Sequence, residues 1–223
     1  MMHRSNSASG RPKHRILRAT VFLFCLAFGA VTAQAELDIH VTSHQVWLFA
    51  HHSKIVVTYD QPDECTGCDE NQIREITSDT EGCFTSTRRS GYCTTIGAGA
   101  KPRGSRAKLF GETNRPGGLA NELTSDPTAI TPPSNSTLQN VLQNLLTALN
   151  AHTEEWNCFE GNEEKRMDYD LIPGDGYNSN SFISGIAKFV GLSPSELKPD
   201  VWVPGYEKPV LEARFEFSDC PSE

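Results

Sequence analysis

The first 35 residues constrain this chain most, because they decide the compartment in which the rest must fold. Arg4, Arg11, Lys13, Arg15 and Arg18 make the segment basic, and no acid precedes Glu36. An apolar run, Val21–Val31, leads to Thr32-Ala33-Gln34-Ala35. A basic opening, an apolar stretch of about 11 residues and an A-x-A site are the marks of a cleaved secretory signal. A membrane-spanning helix needs about 20 apolar residues, so the run is too short to anchor the chain. Bulky Phe24 before Cys25 argues against a lipid-attachment cysteine. The expectation is cleavage after Ala35, a secreted or periplasmic domain over residues 36–223, and no stable membrane anchor afterwards.

Cleavage changes the charge. The whole chain carries 20 basic and 28 acidic residues, a net −8. The signal takes five of the basic ones, which leaves 15 against 28, a net −13. Such a balance disfavours nucleic acid and anionic membrane surfaces as partners. About 188 residues remain, enough for one domain with its own core.

Export also governs how the cysteines are read. Cys25 leaves with the signal, and Cys65, Cys68, Cys83, Cys93, Cys158 and Cys220 remain. Six cysteines in an oxidising compartment imply disulfides, with 15 connectivities open. The spacing of Cys65, Cys68, Cys83 and Cys93 also admits a four-thiolate zinc site. The polar insertion at about 61–95 needs a staple of one kind or the other, and export favours disulfides. A redox reading of Cys65-Thr66-Gly67-Cys68 lacks the strand-then-helix setting it requires.

Periodicity points to an α+β chain: a single domain with a small, mostly antiparallel sheet and two main helices. Strands are expected at Leu37–Val41, Gln45–Phe49 and Lys54–Tyr59 from their alternating or β-branched character. Thr94–Ala100 reads as a Gly-rich turn or close-approach segment, and 101–135 as a long loop of Pro, Gly, Asn, Thr and Ser with at most short elements. A helix from Leu138 to about Ala151, capped by Ser134 or Ser136, carries Leu138, Val141, Leu142, Leu145, Leu146 and Leu149 on one face. A second helix is expected over Ser181–Val190, stopped by Gly191. A last strand is expected over Leu211–Phe217. Asn135-Ser136-Thr137 forms a glycosylation sequon.

Two stretches could carry chemistry. One is Ala50-His51-His52-Ser53, which leads into a strand. The other is Gly176–Phe182, at a helix start, where unpaired N–H groups and the helix dipole favour a developing oxyanion. A strand-edge histidine could serve such a nucleophile as general base. Other groupings are weaker. His40, His44, His51 and His52 could attract a transition metal, but no spacing among them matches a specific site. Asp168, Asp170 and Asp175 lack an EF-hand pattern. No metal or cofactor is expected.

A histidine before a strand, followed much later by Asn178-Ser179-Asn180-Ser181-Phe182 opening a helix, resembles the circularly permuted papain-like proteins. That group includes lecithin–retinol-acyltransferase-like enzymes and cell-wall amidases. Its motif has a Cys where Ser179 stands. The resemblance implies a permuted papain-like arrangement and hydrolysis or transfer at an amide or ester. Ser179 would be the nucleophile and His52 or His51 the base, with His52 preferred. Asn178, Asn180 and the helix-start amides would support the oxyanion. The partner implied is an unidentified amide- or ester-containing substrate. Serine needs fuller activation than cysteine, so the substitution also admits a degenerate, non-catalytic binding protein. Its recognition surface would be the 61–95 insertion and the 101–135 loop, meeting a protein partner.

Overall fold

Strand alternation in the first third of the domain builds a hairpin whose odd-numbered residues face the core. The computed structural model describes residues 37–47, 50–76, 83, 90–103, 106–114, 126–216 and 220. The expected signal segment lies outside them. Strands β1 (Asp38–Trp47) and β2 (Ala50–Tyr59) pair antiparallel, with Ile39 opposite Val57 and Val41 opposite Ile55. The strands expected at 37–41 and 45–49 are therefore one as far as Trp47, and residues 48 and 49 lie outside the described ones.

The sequence read as turn and loop forms strands instead. β3 (Arg74–Glu75) is short, β4 runs Tyr92–Arg103 and β5 runs Arg106–Thr113. β4 pairs with β2 through Ile55–Tyr59 and then with β5 from Ile96 onward. With β6 (Thr128–Ala129) on the far side of β1, the order is β3-β4-β2-β1-β6, β5 pairing β4 off this path. In β5 a small residue marks a close approach. A Cβ on Gly111 would lie 2.5 Å from Cζ of Phe182. Beyond β5 the sheet is prolonged by Met167–Tyr169, whose backbone bonds to Leu109 and Ala107, and then by Tyr177.

Two helices cover one face of this antiparallel sheet. α1 spans Leu138–Cys158 and is capped by Thr137, whose Oγ1 accepts from the Asn140 N–H at 3.2 Å, and not by Ser134 or Ser136. It outlasts the expected end at Ala151 because His152, Glu155 and Trp156 continue the buried stripe of Leu145 and Leu149. α2 spans Ser179–Phe189, capped by Asn178. It closes with Gly191 at a φ of +79°, the N–H of Gly191 bonding to Lys188 and that of Leu192 to Ala187. This is the paired-bond termination that left-handed glycine permits. A four-residue helix, α3 (Pro194–Leu197), follows. Leu142, Leu145 and Leu149 of α1 and Phe182, Ile183 and Ile186 of α2 pack on Ile39, Val41, Ile55, Val57, Ile96 and Leu109.

The end of the chain departs from expectation. Val210 donates its N–H to the Ser181 carbonyl, and Glu212–Arg214 forms a 3-10 turn, not a strand. Arg214 bonds Glu155 and Phe215 is buried against α2. Phe217 lies outside the described residues.

The cysteines pair as disulfides: Cys65–Cys68, Cys83–Cys93 and Cys158–Cys220, with Cα separations of 5.4, 6.0 and 5.4 Å. These separations suit disulfide geometry. The zinc reading of the first four thus gives way to two staples. No helix among the described residues is long and apolar enough to cross a membrane.

Candidate functional site

The start of α2 meets β2 where β2 loses its neighbour. β4 pairs with β2 only at Ile55–Tyr59, so 50–54 has no strand partner on that side among the described residues. A strand edge left this way exposes backbone groups that must be satisfied. Asn180 does it. Its Oδ1 accepts from the Ser53 N–H at 2.6 Å and its Nδ2 donates to the His51 carbonyl at 2.8 Å. The carbonyl of one strand residue and the N–H two residues on face the same side, so a carboxamide fits there as a neighbouring peptide unit would. The His51 N–H completes the edge by donating to the Trp202 carbonyl at 3.2 Å.

Asn178 ties the same corner to two loops. Its Oδ1 caps α2, accepting from the N–H groups of Asn180 and Ser181 at 2.9 and 3.0 Å. Its Nδ2 donates to the carbonyls of Leu171 and Pro204 at 3.0 and 2.8 Å, and the second donor of Asn180 also reaches Pro204, at 2.9 Å. Ser181 Oγ donates to the Gly205 carbonyl at 3.0 Å. Gly205 has a φ of +86°, and a Cβ there would lie 3.0 Å from both Asn178 Oδ1 and Ser181 Oγ. Lys208 adds three bonds to the carbonyls of Gly174, Asp175 and Gly176. Loops 171–176 and 202–208 are thereby fastened to one helix end.

Both Asn amides are saturated, since each has two N–H donors and both are used. The N–H groups of Asn180 and Ser181 are taken by the cap. The side-chain donors of Asn178 and Asn180 and the N–H groups of Asn180 and Ser181 are thus occupied by the protein's own carbonyls and by Asn178. Ser179, at the first helical position, is 1% exposed, and its Oγ has no hydrogen-bond partner among the described residues. Ser53 Oγ is buried and unpartnered as well.

The histidines divide between the faces of the sheet. Successive strand residues point to opposite sides. The register therefore sets His51 with Ser53, Ile55 and Val57 on the face that the helices cover. His52 shares the other face with Lys54 and Val56. The structure brings the backbone of His51 to α2 through Asn180. The half-buried His52 ring lies at a centroid distance of 6.0 Å from His44, its cross-strand partner, and its Nε2 is 3.3 Å from the Tyr169 hydroxyl.

Comparison with known proteins returns no match: no family model fits the chain, and no curated protein and no solved structure matches it. The site is therefore read from its own geometry.

Several residues of this corner escaped the sequence reading. Trp202 is 53% exposed and Ile172 54%, with Leu171 at 40% beside it. They lie on the two loops that Asn178 joins. A Pro-rich context hid Trp202, and its only sequence signal was a large aromatic in a segment with no helical or strand periodicity. Tyr169 carried no signal, and His44 stood out only as one of four histidines in a His-rich stretch, because their neighbours are set by the sheet register.

A second polar cluster lies under α1. His152 is fully buried, 3.9 Å from the Glu155 carboxylate, and stacked edge-on to Phe182. Burial, and then the charge of Arg214, pull its pKa down to about 4. Burial raises the Glu155 pKa, partly offset by Arg214. Burial thus works against the charged form of each. Among the described residues no three metal-binding side chains converge anywhere.

Proposed function

We propose that this chain is an exported, disulfide-stapled binding domain that keeps a permuted papain-like arrangement as a scaffold. The start of α2 acts in it as a structural plug, not as an acyl-transfer centre. The observation that carries this reading is the sealed corner: Asn178, Ser179 and Asn180 are at most 1% exposed, and both Asn amides bond backbone groups of β2 and the two loops. A nucleophile must be reached by its substrate, and an oxyanion needs donors that are not already used. The recognition surface is carried by the loops held there, which expose Leu171, Ile172 and Trp202. Half-exposed aromatic and aliphatic side chains on braced loops are the composition of a protein-binding centre.

The second reading, amide or ester hydrolysis or transfer by Ser179 with His51 or His52 as base, has one observation in its favour. A buried hydroxyl without a partner costs about 1–3 kcal/mol, and Ser179 Oγ is such a group at the mouth of a helix. One experiment separates the two. The mature domain, with its disulfides intact, is treated with fluorophosphonate and β-lactone acyl probes and digested for peptide mass analysis. The binding reading expects no adduct on the Ser179 peptide. An adduct there, absent in Ser179→Ala, establishes the enzyme and ends the scaffold reading.

A further inference from the structure

The hairpin of β1 and β2 sets two imidazoles side by side on the face away from the helices, and we propose that His44 and His52 bind a divalent transition-metal ion between them. The residues are direct cross-strand partners, so their Cβ atoms are held at fixed separation by the ladder. Their ring centres lie 6.0 Å apart at 77°. Two imidazoles sharing one ion at metal–nitrogen distances of about 2.0–2.1 Å have ring centres about 5 Å apart. Side-chain rotation closes that gap of about 1 Å without moving the backbone.

Tyr169 supplies an independent mark of such a site. A ligating histidine characteristically has its second nitrogen held by a hydrogen bond, which fixes tautomer and ring orientation. The Tyr169 hydroxyl is 3.3 Å from His52 Nε2. When Nε2–H donates to it, Nδ1 carries the lone pair a metal needs. Both residues are half-buried, with His44 Nδ1 itself buried, which leaves Nε2 as the ligating atom of His44. Lys54, on the same face, opposes the charge, while the excess of acidic over basic residues favours a cation overall. His40 shares the face but sits four residues along β1, opposite Val56 and beyond the Thr42–Lys54 pair, and is no ligand here.

Two neutral imidazoles with water completing the shell favour Cu2+ over Ni2+ and Zn2+. The test is calorimetric titration of the mature, oxidised domain with each ion at pH 7.5, alongside His44→Ala, His52→Ala, the double variant, and His40→Ala with His51→Ala as controls. The expected result is one ion per chain, tightest for Cu2+. Affinity falls at least tenfold in each single variant and one-to-one binding is lost in the double, while both controls bind as the wild type does. Tyr169→Phe weakens binding several-fold and leaves the stoichiometry at one. Ni2+ and Zn2+ keep the result independent of any copper affinity of the free amino terminus. Circular dichroism confirms that each variant is folded. Unchanged affinity in the double variant, or an equal loss in the controls, overturns the proposal.

Discussion

Acidification between pH 6.5 and 4 acts most strongly on one fully buried group, His152. Its imidazole has an ordinary pKa of 6.5 and is drawn to about 4 in the folded chain. The Glu155 carboxylate, 3.9 Å away, would favour the imidazolium, but Arg214 bonds that carboxylate and cancels most of its field, so burial prevails. The unfolded chain therefore binds a proton that the folded chain refuses, and stability rises with pH across this window. The His152 contribution is fully present above about pH 6.5 and is lost as pH falls towards 4. At about 1.4 kcal/mol for each pH unit of separation, the full loss is about 3 kcal/mol, of which about 2.5 kcal/mol has gone by pH 4.5. Glu155 works in the opposite sense, since its raised pKa favours the folded state as it protonates. The comparison that isolates His152 is wild type against His152→Leu, a near-isosteric change that keeps Glu155 and Arg214. Urea unfolding followed by tryptophan fluorescence, at pH 7.5 and 4.5 with disulfides intact, should show the wild type losing about 2–3 kcal/mol more than the variant. Equal losses within about 0.5 kcal/mol would refute the reasoning, because the buried imidazole would then have no part in acid sensitivity.

Three further outcomes follow from the packing. Asn180→Ala strands the Ser53 N–H and the His51 carbonyl and leaves the Pro204 carbonyl only its Asn178 donor, and should cost about 2–4 kcal/mol in a urea melt. Asn180→Asp should be no milder, because a carboxylate would face those two carbonyls, whereas a loss below about 1 kcal/mol for either would discount the strand-edge role. Removing Cys158–Cys220, which closes 62 residues, should cost about 4 kcal/mol by loop entropy, against about 2 kcal/mol for Cys65–Cys68 with a separation of three; paired Cys→Ser variants measured by thermal unfolding should keep that order. Gly185→Ala places a Cβ 2.7 Å from the Val210 carbonyl oxygen and 2.8 Å from its nitrogen. A loss of about 1–3 kcal/mol from overpacking is expected there, read by the same melt.

Much of the domain's frame was legible in local pattern. Alternation announced β1 and β2, the leucine spacing announced α1, and Gly191 announced the end of α2, because each signal depends only on neighbours in the chain. The even cysteine count pointed to disulfides for the same reason. Cleavage of the signal segment remains an expectation on residues outside those described. Within the candidate site, the Asn178–Phe182 stretch was placed correctly at a helix start, and Asn178 behaves as the cap its residue type favours.

What local pattern misread was decided by contacts made across the fold. Residues 94–113 carry the Gly and Pro of a loop, yet they form β4 and β5, since Gly111 is small to admit Phe182 and not to turn the chain. Leu211–Phe215 alternates as a strand would, but no strand among the described residues pairs with it, and Val210, Arg214 and Phe215 are held instead by Ser181, Glu155 and the α2 core. The role of Asn180 depends on where β4 leaves β2, a position no local signal records. Which histidine shares the helix face and which stands opposite His44 follows from hairpin register, where a shift of one residue would exchange the two faces. Sequence alone could name Asn180, His51, His52 and Ser179 as residues of interest; only the packing of α2 against an unpaired strand edge made two of their neighbours structural and sealed the serine between them.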